Sequence, residues 1–122
     1  MVGYVTLGTN DSARAAKFYD ELLGLIGAKR LMDFGPFIMW GTSMDKGCLA
    51  ITPPNDKKAG TVGNGVMVAL RVDSKALVDA IYKKALELGG KDEGPAGPRG
   101  DGFYAGYFRD LDGNKLNAFF MG

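Results

Sequence analysis

Apolar and polar residues alternate at the start of the chain and then change period. Val5 and Leu7 on one face, with Tyr4 and Thr6 on the other, mark residues 2–8 as a strand. Thr9-Asn10-Asp11-Ser12 breaks the run. Either Asn10 or Asp11 suits a helix cap, because its side-chain oxygen can accept from unpaired amides of the first turn. Ala15, Phe18, Leu22 and Leu25 then recur at helical spacing, leaving Arg14, Lys17 and Glu21 for solvent, and Gly24 and Gly27 suit the helix end. Three short strands are predicted near 28–33, 36–42 and 47–52, followed by the polar, turn-rich stretch Pro53-Pro54-Asn55-Asp56-Lys57-Lys58-Ala59-Gly60. The pattern then restarts. A strand is predicted over Val66–Val72, and a helix over about 74–88 with Leu77, Ile81, Ala85 and Leu88 inward. A glycine- and proline-rich loop over 94–102 precedes a hairpin of 103–109 and 115–121 around Asp110-Leu111-Asp112-Gly113-Asn114.

The restart is an internal repeat. Tyr4-Val5-Thr6-Leu7 aligns with Met67-Val68-Ala69-Leu70 at an offset of 63, and Gly47-Cys48-Leu49-Ala50-Ile51 with Asn114-Lys115-Leu116-Asn117-Ala118 at 67. A period near sixty is too long for a solenoid unit and suits two fused half-domains. Each half reads β-α-β-β-β, which places the chain in the α+β class. The expected architecture is two fused βαβββ modules, about 2–52 and about 65–122, joined by a linker of about 53–64. One helix and a few strands bury too little alone, so the halves are expected to form one domain. Strands of a duplicated unit pair around a pseudo-two-fold axis. Matching positions should then converge on one cavity enclosed by an open mixed sheet, with a helix outside each half.

Composition narrows the function classes. The 122 residues fit one domain, and 46% apolar and 24% charged residues are ordinary for a soluble globular protein. A net charge of +1 without a basic block argues against nucleic acid as a partner. No apolar stretch approaches the ~20 residues that span a bilayer, so no membrane partner is expected. The start of the chain lacks the charged-then-apolar pattern of a secretory leader. The single Cys48 cannot form an internal disulfide, and the expected location is the reducing cytoplasm. The absence of histidine removes the commonest general base near neutrality and the commonest transition-metal ligand.

Two motifs sit inside the repeat: Tyr19-Asp20-Glu21-Leu22-Leu23-Gly24, and Phe108-Arg109-Asp110-Leu111-Asp112-Gly113-Asn114-Lys115-Leu116. Together with the duplicated βαβββ pattern they resemble the vicinal oxygen chelate superfamily over essentially the whole chain. That superfamily holds glyoxalase I, extradiol dioxygenases and the glyoxalase/bleomycin-resistance group. The second motif is similar to its aromatic-x-Asp-Pro-Asp-Gly-Asn turn, with Leu111 at the proline position. The resemblance implies a metal ligand on the first and last strand of each half, at Tyr4, Ala50, Met67 and Asn117. His or Glu usually stands at those places. Here Ala50 has no donor, Met67 a soft thioether and Asn117 one neutral oxygen, whereas a divalent ion needs anionic oxygens or imidazoles. No metal and no other cofactor is therefore expected. The resemblance also implies a homodimer.

Alternation turns Tyr4, Thr6, Cys48, Ala50, Thr52, Met67, Ala69, Arg71, Asn117 and Phe119 toward the concave side. That lining, small and apolar with a few polar anchors, suits a small organic ligand. The competing reading has Tyr4, Met67 and Phe119 fill the space as core. Trp40, Tyr104 and Tyr107 could clamp a planar ligand or simply pack the sheets, and Trp40 and Tyr107 are near-equivalent at the 67-residue offset. Arg99 could hold a carboxylate through two parallel bonds or stand as a solvated loop arginine. Asp110–Asn114 is no calcium loop, because its glycine falls at the fourth position and Met121 at the twelfth.

The expected function is a metal-free small-molecule-binding protein of the glyoxalase/bleomycin-resistance type. The alternative is a lyase or isomerase related to lactoylglutathione lyase, with Tyr4 or Tyr104 as acid/base and Arg71 or Arg99 holding an anion. It requires a tyrosine pKa drawn well below ~10. A third reading is a structural dimer with a filled cavity.

Overall fold

Helix starts reveal how closely the two halves follow one plan. In the computed structural model, which describes residues 1–122, the chain divides into two compact units, Met1–Val62 and Gly63–Gly122. In the first, Asp11 caps α1 (Ser12–Gly24), its carboxylate accepting from the Arg14 amide at 3.1 Å. In the second, the Ser74 hydroxyl accepts from the Leu77 amide at 3.1 Å and opens α2 (Lys75–Glu87). Asn10, the other candidate cap, has a different task. Its Nδ2 donates to the Gly60 carbonyl at 3.2 Å and its Oδ1 accepts from the Gly60 amide at 2.6 Å, tying down the segment after the last strand of the unit.

The first unit runs β1 (Tyr4–Gly8), α1, β2 (Lys29–Asp33), β3 (Ile38–Gly41) and β4 (Cys48–Thr52), with sheet order β1-β4-β3-β2. The second runs β5 (Val68–Arg71), α2, β6 (Lys91–Pro98), β7 (Phe103–Arg109) and β8 (Lys115–Met121), with the matching order β5-β8-β7-β6. In each, the first strand lies parallel to the last and the other pairs are antiparallel. This is the α+β, twice-βαβββ architecture that the repeat predicts. No helix is long and apolar enough to cross a membrane.

Each sheet buries one face under its helix. In the first unit Ile38, Trp40, Leu49 and Ile51 meet Ala15, Phe18, Tyr19 and Leu22 of α1, and Leu7 is buried on the same face beside Ile51. In the second Phe108, Leu116 and Ala118 meet Val78, Ile81 and Ala85 of α2. Leu25, expected to face inward, instead follows α1 as its C-terminal cap and is exposed, while Leu77 and Leu88 are half-buried.

Two element boundaries depart from the pattern-based reading. Met67 precedes β5, whose pairing begins at Val68. The segment read as a loop from Gly94 continues as strand to Pro98. It does so because β6 is an edge: the missing proline N–H groups at 95 and 98 cost no ladder bond on an outer side. The register shifts between Asp92 and Gly94 and again between Gly94 and Gly97 absorb the misfit as bulges.

Candidate ligand-binding face

The strands carry an open face opposite each helix, and register decides which residues reach it. Trp40 pairs with Leu49, so it faces α1. It is 1% exposed, packs 5.6 Å from the Tyr19 ring and donates its indole N–H to Asp20 Oδ1 at 2.8 Å. Trp40 is thus a core residue of the first unit and not part of a ligand clamp. Tyr107 pairs with Asn117, on the other face of its own sheet. The expected equivalence of Trp40 and Tyr107 is off by one residue. The connection from β7 to β8 is one residue shorter than that from β3 to β4, and a one-residue slip exchanges faces. Trp40 matches Phe108, and Tyr107 matches Met39.

Tyr104 also leaves the candidate set. It pairs with Phe120, faces α2 and donates its hydroxyl to Asp79 Oδ1 at 2.6 Å. The Asp79 carboxylate, together with burial, raises its pKa above the ordinary value. A base near neutrality needs the opposite shift.

The open face of the second unit gathers the remaining polar candidates. Asn117 stands at its centre, flanked by Ala69 on β5 and Tyr107 on β7. Its side chain is 2% exposed, and its Oδ1 has no hydrogen-bond partner. Nearly all buried polar atoms are paired, so an orphan oxygen needs a reason. Along the same face Arg71 pairs with Phe119, and Lys115 stands two residues before Asn117 with its ammonium 5.6 Å from the Tyr107 ring centre. The Arg99 guanidinium lies 5.5 Å from the same centre. Its Nη2 donates to the Pro95 carbonyl at 2.5 Å and its Nη1 to that of Pro98 at 3.3 Å. Pattern reading missed Lys115, although its two-residue spacing from Asn117 places it on that face. Lys91 and Arg109, paired across β6 and β7, continue the same face, and of its five cations only Arg109 has a carboxylate, Glu93, at 2.7 Å.

The open face of the first unit is aromatic instead. Tyr4 is 52% exposed and meets Phe37 edge-on at 6.4 Å, and Phe37 stacks on Phe34 at 6.2 Å. Ala50 lies between Thr6 and Met39 and is fully buried.

These donor sets do not fit a divalent metal. The phenol of Tyr4 and methyl of Ala50 in the first unit, and the thioether of Met67 and amide of Asn117 in the second, include no carboxylate or imidazole. Nowhere do three His, Cys, Asp or Glu side chains gather. Around Asn117 the fixed charges are positive, which opposes a cation further.

Comparison with known proteins agrees with the topology. A family model for the Glyoxalase/Bleomycin resistance protein/Dioxygenase superfamily matches residues 1–118. Among functionally curated proteins, none matches the chain in sequence. A glyoxalase/bleomycin resistance protein from Albidiferax ferrireducens T118 superposes with a TM-score of 0.90 at 33% identity, over 98% of this chain and 97% of that one. A glyoxalase/bleomycin resistance protein/dioxygenase family enzyme from Burkholderia phytofirmans PsJN gives 0.77 at 18% identity, over 96% and 95%. A lactoylglutathione lyase from Agrobacterium tumefaciens gives 0.70 at 21%, over 98% and 92%. The last two likenesses concern the fold alone.

Proposed function

The chain belongs to the glyoxalase/bleomycin resistance protein/dioxygenase superfamily, and from that premise we propose that it binds a small organic molecule without a divalent metal. The binding surface is the open face of the second unit around Asn117. The carrying observation is the buried, unpartnered Asn117 Oδ1. Leaving such an acceptor unsatisfied costs about 1–3 kcal/mol, which a ligand N–H or O–H offsets. Small neighbours (Ala69, Ala105) and aromatic ones (Tyr107, Phe119) surround it on the same face, the mixture of apolar wall and sparse polar anchor that suits such ligands. A homodimer in the cytoplasm belongs to the same reading. Nothing favours the lyase alternative in its Tyr104 form, since that hydroxyl is held protonated against Asp79.

Elemental analysis, native mass spectrometry and a thermal-shift screen of small organic acids, amides and phenols test this together. The expected result is no stoichiometric transition metal, a two-chain mass, and at least one compound that raises Tm. Asn117→Leu should abolish that shift while leaving the ligand-free Tm equal or higher, because it removes an unsatisfied acceptor. Stoichiometric metal, or a full shift retained in Asn117→Leu, overturns the reading.

A further inference from the structure

Four cations share the open face of the second unit with no carboxylate to neutralise them. Arg71, Lys91, Arg99 and Lys115 form no ion pair, whereas Arg109, which stands opposite Lys91 on the same face, is matched by Glu93. Arg99 is also held in place. Two of its N–H groups are committed to the Pro95 and Pro98 carbonyls and its plane lies near Tyr107, so three of five donors remain free. The glycines of β6 make the room. A Cβ at Gly94 would come within 3.4 Å of Arg99 Nη2, and one at Gly97 within 3.3 Å of Nη1. A guanidinium anchored by backbone carbonyls has already lost most of its rotamer freedom, so an incoming anion gains affinity at little ordering cost. Solvated surface arginines lack that anchoring.

We propose that the ligand of this face is an organic anion, a carboxylate or a phosphate monoester, that also carries an N–H or O–H donor. The anion is held by Arg99, with Lys115 adding to the positive field around Tyr107, and the donor meets Asn117 Oδ1. The proposal rests on the reading of this face as a small-molecule site and adds the charge and polarity of its occupant. Both ends are specified: a cationic molecule is repelled by the unpaired cations, and an anion without a donor leaves the Asn117 oxygen unpaired. Four unpaired cations on a chain of net charge +1 are too few for a polyanion such as nucleic acid.

The test uses matched pairs that differ in charge: 4-hydroxybenzoate and 4-hydroxybenzamide, lactate and lactamide, glycerol 3-phosphate and glycerol. Binding of each is measured by calorimetry and thermal shift at two salt concentrations. The wild type should bind at least one anion about tenfold or more tighter than its neutral partner, with affinity falling as salt rises. Arg99→Gln should remove most of that preference, Arg99→Lys should leave an intermediate one because charge remains while the fork is lost, and Lys115→Gln should weaken it severalfold. Lys83→Gln, an exposed cation on α2 behind the sheet, should leave it unchanged. Preference for carboxylates or for the phosphate identifies which anion is the source, and either supports the proposal. Neutral partners binding as tightly as anions, or a preference indifferent to Arg99→Gln in a folded variant, overturns it while the small-molecule reading stands. If no small organic compound, charged or neutral, binds at all, both fall.

Discussion

Asp20 illustrates how a family motif can serve the fold and not the chemistry. It lies in Tyr19-Asp20-Glu21-Leu22-Leu23-Gly24, and its carboxylate accepts from Trp40 Nε1 at 2.8 Å and from Arg30 Nε and Nη2 at 2.9 and 2.7 Å. Arg30 reaches on to Asp33 at 2.8 Å, and its guanidinium carbon lies 5.9 Å from the Trp40 ring. The Arg30 guanidinium holds the Asp20 carboxyl below the usual carboxylate range. The exposed ion pairs themselves contribute little. The indole matters more, because Asp20→Ala would strand its buried N–H without an acceptor at a cost of about 1–3 kcal/mol. Asp20→Asn keeps an acceptor and should cost less. Urea unfolding followed by the fluorescence of Trp40, the chain's single tryptophan, separates the two. Equal midpoints for both variants would refute this account.

At the scale of elements, the turn from α2 into β6 depends on one glycine. A Cβ at Gly90 would stand 2.6 Å from the Arg109 carbonyl oxygen and 2.7 Å from that of Ala85, both backbone atoms that cannot rotate away. Gly90→Ala must therefore shift α2 against β7, and overpacking of this kind costs about 1–3 kcal/mol or more. Gly3→Ala, with nothing within 4 Å of the added carbon, is the matched control and should leave Tm nearly unchanged. Thermal melts of both followed by circular dichroism check the contrast. Both helices, the succession of elements along the chain and the duplicated plan were legible in the sequence because each rests on local periodicity repeated twice. Register was not. Trp40 and Tyr107 fall on opposite faces because one hairpin connection is a residue shorter, and an offset read between the last strands carries no record of that length. The strand character of 94–98 was hidden for a related reason: prolines signal a loop unless the strand is known to be an edge, and edges are a property of the assembled sheet. Of the candidate site, alternation alone placed Asn117 and Arg71 on one face. The anchoring of Arg99 by Pro95 and Pro98 depends on that unforeseen strand.

For the molecule as a whole, titration behaviour follows from the missing histidine and from where the carboxylates and phenols are bonded. With no histidine, no ordinary side chain changes charge between about pH 5 and 8, so stability should be flat there. Below that range the sign is set by depressed carboxyls. Asp20 is lowered chiefly by Arg30, Asp33 by the Gly35 amide and then Arg30, and Asp92 by the Tyr82 hydroxyl and then the Gly94 amide. A folded-state pKa below the unfolded value of about 3.9 contributes stability above that value and loses it as pH falls through the folded one. At the alkaline end the sign reverses. Tyr82 is raised by burial and then Asp92, and Tyr104 by Asp79 and then burial. Their contribution is present below about pH 10 and lost as pH climbs through the raised values. Denaturant midpoints measured from pH 2.5 to 11 should trace a plateau with two falling shoulders. Asp92→Asn should soften both, since it removes the depressed carboxylate and the charge that raises Tyr82. A slope within the plateau, or an acid shoulder unchanged in Asp92→Asn together with Asp20→Asn, would place the titrating groups elsewhere.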